Sequence, residues 1–376
     1  MIRFLHSSDW QLGMKRRYLG DEAQARFADA RFAVVRRLAA LADEQGCAFA
    51  VVCGDVFESN QVDRRTLARA QDALGAFRVP VYLLPGNHDP LDGASIFHQP
   101  AFRERVPSQA HVLEDARPVA VAPGVELVGA PWPSKRPGRD LVAAACAGLS
   151  PARGTLRVCA AHGAVDALSP DRDDPGRIAL AGAEAALADG RLHYLALGDR
   201  HSRTQVGDTG RIFYAGSPEP TDFDELAPGE ALVVTLEPGR IDVTPHTVGT
   251  WRFIRRRDLR LDGEPDLDAF EAWLLSLPAK ERCVLRLEGA GTLDLRGSAR
   301  LDALFERARD LFAGLEWSAD LRVEPADADF EDLELAGFAA RAQAALRKRV
   351  KAGGNDAARA RDALALLLRL AGGTRA

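Results

Sequence analysis

Five apolar stretches of this sequence each stop on side chains that bind metals or move protons. Asp9 and Gln11 follow IRFLHSS, and Asp55 and Glu58 follow AFAVVCG. Asn87, His88 and Asp89 follow VYLLPG, His162 closes LRVCAAH, and Asp199 and His201 follow LHYLALG. Asp, Asn, Gln and His without paired cysteines suit a borderline-to-hard divalent cation better than a thiolate-bound zinc. Asp55 is the natural bridging carboxylate of a two-metal site, because Gly54 lets the backbone approach closely. Two ions about 3.5–4 Å apart clamp a phosphoryl group for in-line displacement. His88, among these acids, can hand a proton to a leaving oxygen. Glu58 reads as an acceptor behind the ligands rather than as one of them.

Side chains this far apart in sequence meet only if intervening elements bring the strand ends to one edge. Up to about residue 245, apolar strands recur: CAFAVVCGD, VPVYLLPGN, VELVGAPW, LRVCAAHG, LHYLALGD, IFYAGS and ALVVTL. Helical stretches, Glu22 to Gln45 and Asp63 to Phe77, lie between the early ones. That alternation predicts α/β layers over residues 1–248. In such folds ligands bind where loops leave the carboxyl ends of strands. Less helix separates the later strands, so a mixed sheet is expected. Over residues 249–328 the rhythm changes. RFIRRRDLRL, CVLRLEG and ADLRVEP read as strands around helices at Asp266 to Leu277 and Leu301 to Phe312, a small α+β module. Residues 329–376 predict two helices, FAARAQAALRKRVK and ARARDALALLLRL. Gly353-Gly354 would stop the first and Asn355-Asp356 cap the second. The second is apolar enough that it should dock on its own domain or on a partner.

A chain of 376 residues exceeds one ordinary core. Its 47% hydrophobic and 27% charged residues fit a soluble globular protein. No apolar run approaches the ~20 residues that span a bilayer, and the N-terminus lacks the charged leader of a secretory signal. Five scattered cysteines without CxxC predict reduced core thiols in a cytoplasmic protein. The net charge of −5 counts mildly against nucleic acid, although a local basic track can carry phosphate contacts. Candidate tracks are Lys15-Arg16-Arg17, Arg255-Arg256-Arg257 and Arg347-Lys348-Arg349 with Lys351. Each alone also reads as a solvated face. There is no GxSxG elbow and no Walker loop, so the chain itself supplies no ATP hydrolysis. His6, His98, His111, His193 and His246 read as structural or exposed. Trp10 and Phe57 read as packing beside the site, and DRDDPG as an acidic turn.

GDVFE, GNHD, the isolated His-Gly and the final Gly-x-x-His resemble the ordered motifs of the calcineurin-like metallophosphoesterases, over residues 1 to about 225. IRFLHSSDWQLG, VYLLPGNHDP and YAGSPEPTDFDE resemble, more particularly, SbcD-type DNA nuclease subunits, relatives of the Mre nucleases. The resemblance implies an α/β fold with a two-sheet sandwich flanked by helices (αββα) and two divalent ions. It implies Asp9, Gln11, Asp55 and His201 around one ion, and Asp55, Asn87, His162 and Asp199 around the other. His88 would be the proton donor and Asp89 would orient it. Gln11 and Asp199 depart from the pattern, since the family usually has His at both positions. Oxygen in place of nitrogen favours Mn²⁺ or Mg²⁺ over zinc, or else weakens the first site. The resemblance further implies a homodimer acting on DNA ends or hairpins with an SbcC-type coiled-coil ATPase. The α+β module would guide DNA and the C-terminal helices would dock on the ATPase. The expectation is therefore a metal-dependent DNA nuclease of repair or recombination. A small-molecule or nucleotide phosphodiesterase and a weakly active DNA-end-binding scaffold are the alternatives.

Overall fold

The computed structural model describes residues 1–171, 173–324, 337–354 and 356–372. Contacts divide the chain into two units, Met1–Arg252 and Phe253–Ala376. The first runs β1 (Ile2–Ser7), α1 (Asp21–Glu44), β2 (Phe49–Cys53), α2 (Arg64–Leu74), β3 (Val81–Leu84), α3 (Pro100–Arg103), β4 (Ala110–Val112), β5 (Val119–Ala122) and β6 (Val125–Ala130). It continues through α4 (Leu141–Ala147), β7 (Leu156–His162), α5 (Leu180–Ala188), β8 (Tyr194–Gly198), β9 (Thr204–Gln205), β10 (Ile212–Tyr214), β11 (Glu230–Glu237) and β12 (Arg240–Thr247). Asp63 is not the first residue of α2 but its cap, accepting the Thr66 N–H at 2.7 Å.

Two six-stranded sheets result, ordered β12-β11-β1-β2-β3-β4 and β5-β6-β7-β8-β10-β9. Both are mixed. In the first, β1 to β4 are parallel while β11 is antiparallel to β1 and β12. In the second, β6, β7, β8 and β10 are parallel and the edges β5 and β9 antiparallel.

The two-residue period of each strand decides the layering. Phe49, Val51 and Cys53 of β2 share a core with Val158 and Ala160 of β7 and Tyr194 and Ala196 of β8. Their neighbours Ala50 and Val52 pack on α1 and α2. Cys159, Ala161, Leu195 and Leu197 pack on α4 and α5. Strands buried on both faces read as unbroken apolar runs, which is why AFAVVC and LHYLAL show no alternation. The unit is a four-layer αββα sandwich.

The second unit comprises β13 (Arg252–Arg260), α6 (Glu264–Ser276), β14 (Cys283–Leu293), α7 (Leu295–Leu311), β15 (Gly314–Val323), α8 (Gly337–Ala352) and α9 (Ala357–Gly372). Strands β13-β14-β15 form one sheet. Leu285 and Leu287 share a core with Leu267, Phe270, Leu301 and Phe305. Strand β14 outruns CVLRLEG because its polar, glycine-containing end is held by the parallel ladder to β15 as far as Leu293↔Val323. Leu364 of α9 is buried against Leu346, Val350 and Leu295. The helical pair expected as a separate docking segment thus packs within this unit. Asn355 of the expected α9 cap, and the boundary expected after residue 328, lie outside the described residues. All five cysteines are buried, and none is in a disulfide among the described residues. Among the described residues no helix is long and apolar enough to cross a membrane.

Candidate metal centre

The ligand candidates leave the carboxyl ends of parallel strands in both sheets: β1, β2 and β3 in the first, β7 and β8 in the second. The loops after β1 and β2 run side by side. Asp9 N–H donates to Gly54 O (3.1 Å), Gln11 N–H to Asp55 O (2.8 Å) and Leu12 N–H to Val56 O (2.9 Å). This course forces unusual backbone. Asp9 (φ 53), Gln11 (φ 45), Asp55 (φ 53) and Asp199 (φ 101) all have positive φ without being glycine. Each such residue costs on the order of 1–3 kcal/mol, and such strain collects at functional sites. Close approach also demands glycine. A Cβ on Gly54 would lie 2.1 Å from His162 Nδ1, and one on Gly198 only 1.7 Å from Cys53 O.

Asp9, Asp55 and His162 are buried and offer ligand atoms within 4.8 Å of one another. Asp55 Oδ1 lies 3.5 Å and Asp199 Oδ1 3.7 Å from His162 Nε2. The Asn87 side-chain nitrogen donates to that same nitrogen at 2.7 Å and to Asp55 Oδ1 at 3.2 Å. His162 Nδ1 donates to Cys53 O at 2.8 Å, so Nε2 is the atom turned to the cluster. Across the site, His201 Nε2 lies 4.0 Å from Asp9 Oδ1 and 3.2 Å from Gln11 Nε2. All seven ligand candidates thus converge on one locus.

The electrostatics fit divalent cations. Burial would lower the His162 imidazole, but the Asp55, Asp9 and Asp199 carboxylates outweigh it and push it up to about 9. The cluster draws a proton to the place where a metal would supply positive charge. Burial raises Asp9 and Asp199, against the pull of the two histidines. Gln11 Oε1 is buried without a hydrogen-bond partner among the described residues, an oxygen lone pair left over for a ligand.

His88 sits at the rim, with Nε2 3.9 Å from Asp55 Oδ2. Its Nδ1 donates to the Glu58 main-chain carbonyl at 2.9 Å. That corrects two expectations. Glu58 acts through its backbone, while its Oε2 accepts no bond among the described residues. Asp89 orients the loop rather than the imidazole: its oxygens accept Gly86 N–H (2.8 Å) and Phe57 N–H (2.9 Å). Trp10 and Phe57 are buried, Trp10 stacked on Phe77 and Phe57 among Phe97 and Phe102, so neither is free to stack on a base. Lys15 and Arg17 are exposed in the loop after Gln11, and Arg16 is half-buried. In the second unit Arg255 is half-buried. Arg256 stacks on Trp273 (4.7 Å) beside Asp258 (3.5 Å), and Arg257 lies 3.5 Å from Glu288. Those last two arginines thus have aromatic or acidic neighbours within their own module.

Three residues with a place in the site were not singled out from the sequence. Trp132 Nε1 donates to His162 O at 2.7 Å and pins the end of β7. Thr221 Oγ1 lies 2.8 Å from His201 Nδ1, and Glu225 Oε1 3.3 Å from it. Thr221 and Glu225 lie within YAGSPEPTDFDE, which carried part of the resemblance; Trp132 had no such signal.

Residues 2–135 match the family model of the calcineurin-like phosphoesterases. The two multistranded sheets flanked by helices are consistent with a metallophosphoesterase fold. The match ends after β6, so it covers the loops bearing Asp9 to Asp89 but not His162, Asp199 or His201. Comparison with curated protein sequences finds no match. Similar solved structures include the protein TT1561 of Thermus thermophilus, at 9% identity and TM-score 0.41, covering 66% of this chain and 99% of that one. Another is a dimetal phosphatase from Danio rerio, at 12% identity and TM-score 0.42, covering 66% and 96%. The matched segment is similar to calcineurin-like phosphoesterases, and the buried Asp9, Asp55 and His162 could hold a divalent metal ion.

Proposed function

We propose that this protein is a two-metal phosphodiester hydrolase acting on DNA, the cytoplasmic nuclease subunit of an SbcCD-like complex. The observation that carries the hydrolase reading is the convergence of buried Asp9, Asp55 and His162 within 4.8 Å at the carboxyl ends of strands from both sheets. The choice of DNA rests on the resemblance of IRFLHSSDWQLG, VYLLPGNHDP and YAGSPEPTDFDE to SbcD-type subunits. The separate α+β unit and C-terminal helices, which a small substrate would not require, support it.

Asp9, Gln11, Asp55 and His201 would hold one ion, and Asp55, Asn87, His162 and Asp199 the other, with Mn²⁺ favoured by the oxygen-rich set. When bound, the ions would supply Lewis-acid polarisation of the phosphoryl group and an activated water at neutral pH. Water adds to phosphorus, the ester P–O bond breaks, and the leaving oxygen needs a proton. His88 is placed to give it: the Glu58 carbonyl holds Nδ1–H and leaves Nε2 facing the cluster. Exposed Lys15 and Arg17, in the loop that leaves the site, would meet the DNA backbone. A homodimer and an SbcC-type ATPase, docked through α8 and α9, complete the proposal.

A second reading, a small-molecule phosphodiesterase, is favoured by Arg256 and Arg257 being paired within the second unit. The test is cleavage, with Mn²⁺, of a linear DNA duplex and of a bis-aryl phosphodiester, alongside Asp55→Asn and His88→Ala. Cleavage of both substrates, lost in both variants, is expected. Cleavage of the ester alone, even with the ATPase added, would defeat the DNA reading. No cleavage of either despite bound metal would leave only the scaffold.

A further inference from the structure

Behind the Asp9 side of the cluster, four side chains form one line of hydrogen bonds. Thr221 is fully buried and the Glu225 side chain is 6% exposed. The Glu225 carboxylate accepts the Thr221 main-chain N–H, 3.0 Å from each oxygen, and also the Thr221 hydroxyl. A carboxylate only accepts, so the single hydroxyl proton points at Glu225. Thr221 Oγ1 also lies 2.8 Å from His201 Nδ1. With its own proton committed, that oxygen can only accept, so Nδ1 carries a hydrogen. On the other side of the ring, Gln11 Nε2 lies 3.2 Å from His201 Nε2. An amide N–H only donates, so Nε2 bears the lone pair. These partners place a hydrogen on Nδ1 and turn Nε2 toward Gln11 and Asp9.

We propose that Glu225, acting through Thr221, is the positioning residue that presets the ligand tautomer of His201, and that the Gln11 amide holds the resulting lone pair until a divalent ion displaces it. The inference rests on the metal-site reading above. It explains why Gln11 Oε1 is left without a partner. Turning the amide over would withdraw the N–H from His201 and bring this oxygen to the same place. Gln11 is then a cap in the metal-free protein and a ligand in the loaded one. Partners behind a metal-binding histidine fix its tautomer and strengthen it as a donor, and their loss typically costs 10–100-fold in metal affinity. Only the ion on the Asp9–His201 side should feel that loss, because His162 is held by Cys53 O instead.

The test uses the full-length protein with ¹⁵N-labelled histidine, the His201 signals being assigned by their loss in His201→Gln. In metal-free wild type, His201 should show the Nδ1–H tautomer, and Thr221→Ser should keep it. Thr221→Val, which keeps the shape and removes the hydroxyl, should shift the ring toward Nε2–H. Calorimetric titration with Mn²⁺ alone should show one of two binding steps weakened tenfold or more in Thr221→Val and Glu225→Gln, with the other step unchanged and Thr221→Ser like wild type. An Nε2–H tautomer in metal-free wild type would overturn the proposal whether or not any variant folds. So would unaltered binding in Thr221→Val, or equal weakening of both steps in a folded Glu225→Gln. If wild type bound no Mn²⁺, the metal-site reading would fail, while the tautomer spectrum would still decide the relay.

Discussion

Replacing Asp55 by Asn should lower the stability of the first unit without metal and lower it further with metal. Asp9, Asp55 and His162 place their ligand atoms within 4.8 Å of one another, out of water. Two unit negative charges at that separation repel by about 3 kcal/mol at an effective dielectric of 20. His162, pushed up to about 9 by acidic neighbours that override its burial, lies 3.5 Å from Asp55 Oδ1 and at the same dielectric attracts it by about 5 kcal/mol, outweighing the repulsion by about 1–2 kcal/mol. Asn keeps an oxygen for the His88 N–H, now 3.0 Å from Asp55 Oδ1, and removes the charge. Metal-free Asp55→Asn should therefore melt lower, by about 2–8 °C at 2–4 °C per kcal/mol for a unit of this size. Mn²⁺ at a hundred times its dissociation constant stabilises wild type by about 2.7 kcal/mol, roughly 5–11 °C, and should do little for the variant. Differential scanning calorimetry with chelator and then with Mn²⁺ reads both. A higher metal-free melting temperature in Asp55→Asn would refute the picture of a carboxylate held by its histidine partner. An undiminished response to Mn²⁺ would remove Asp55 from the ligand set.

Three further outcomes are expected. His88→Ala should lower kcat by about 10²–10⁴ while calorimetric Mn²⁺ binding stays as in wild type, separating a proton donor from a ligand. His6 is buried, donates to Leu197 O and contacts Tyr194 Oη, and burial lowers it to about 3. The unfolded chain takes up this proton near pH 6.5 and the folded one does not. Stability should fall as pH drops below 6.5, by about 2 kcal/mol by pH 5 from this residue, and urea titrations of His6→Asn should show a shallower fall. Leu364→Ala should cost about 2 kcal/mol and speed amide exchange in α8 and α9, leaving the first unit unchanged.

The chemistry of the site was legible because each ligand candidate interrupts an apolar run, and burial on both faces makes such runs unbroken. Asp9, Asp55 and His162 stand out for that reason. What the spacing does not carry is backbone direction. Nothing in Asp9, Gln11 or Asp199 announces positive φ, which arises from loops of different strands bonding to one another, as Gln11 N–H does to Asp55 O. The role of Glu58 was misplaced for a related reason: types reveal side-chain chemistry, whereas its contact with His88 runs through the main chain. Thr221 and Glu225 lie in a stretch rich in Pro, Asp and Gly with no periodicity, so their contact with His201 is a purely tertiary fact. In the second unit, the sequence does not place Trp273 beside Arg256 or Glu288 beside Arg257.

The pairing of β1 with β11 has a consequence for biosynthesis. Ile2 lies opposite Leu236 and His6 opposite Leu232, so the first strand of the unit flanks one of its last. Its parallel neighbour β2 arrives early, but the other edge stays open until β11 emerges. At about 5–20 residues per second that interval is roughly 10–50 s, and an open strand edge is a template for unwanted pairing. The nascent chain therefore carries an unprotected edge through most of its first unit's synthesis. Truncations that remove β11 should fail by aggregating even when every metal ligand is retained.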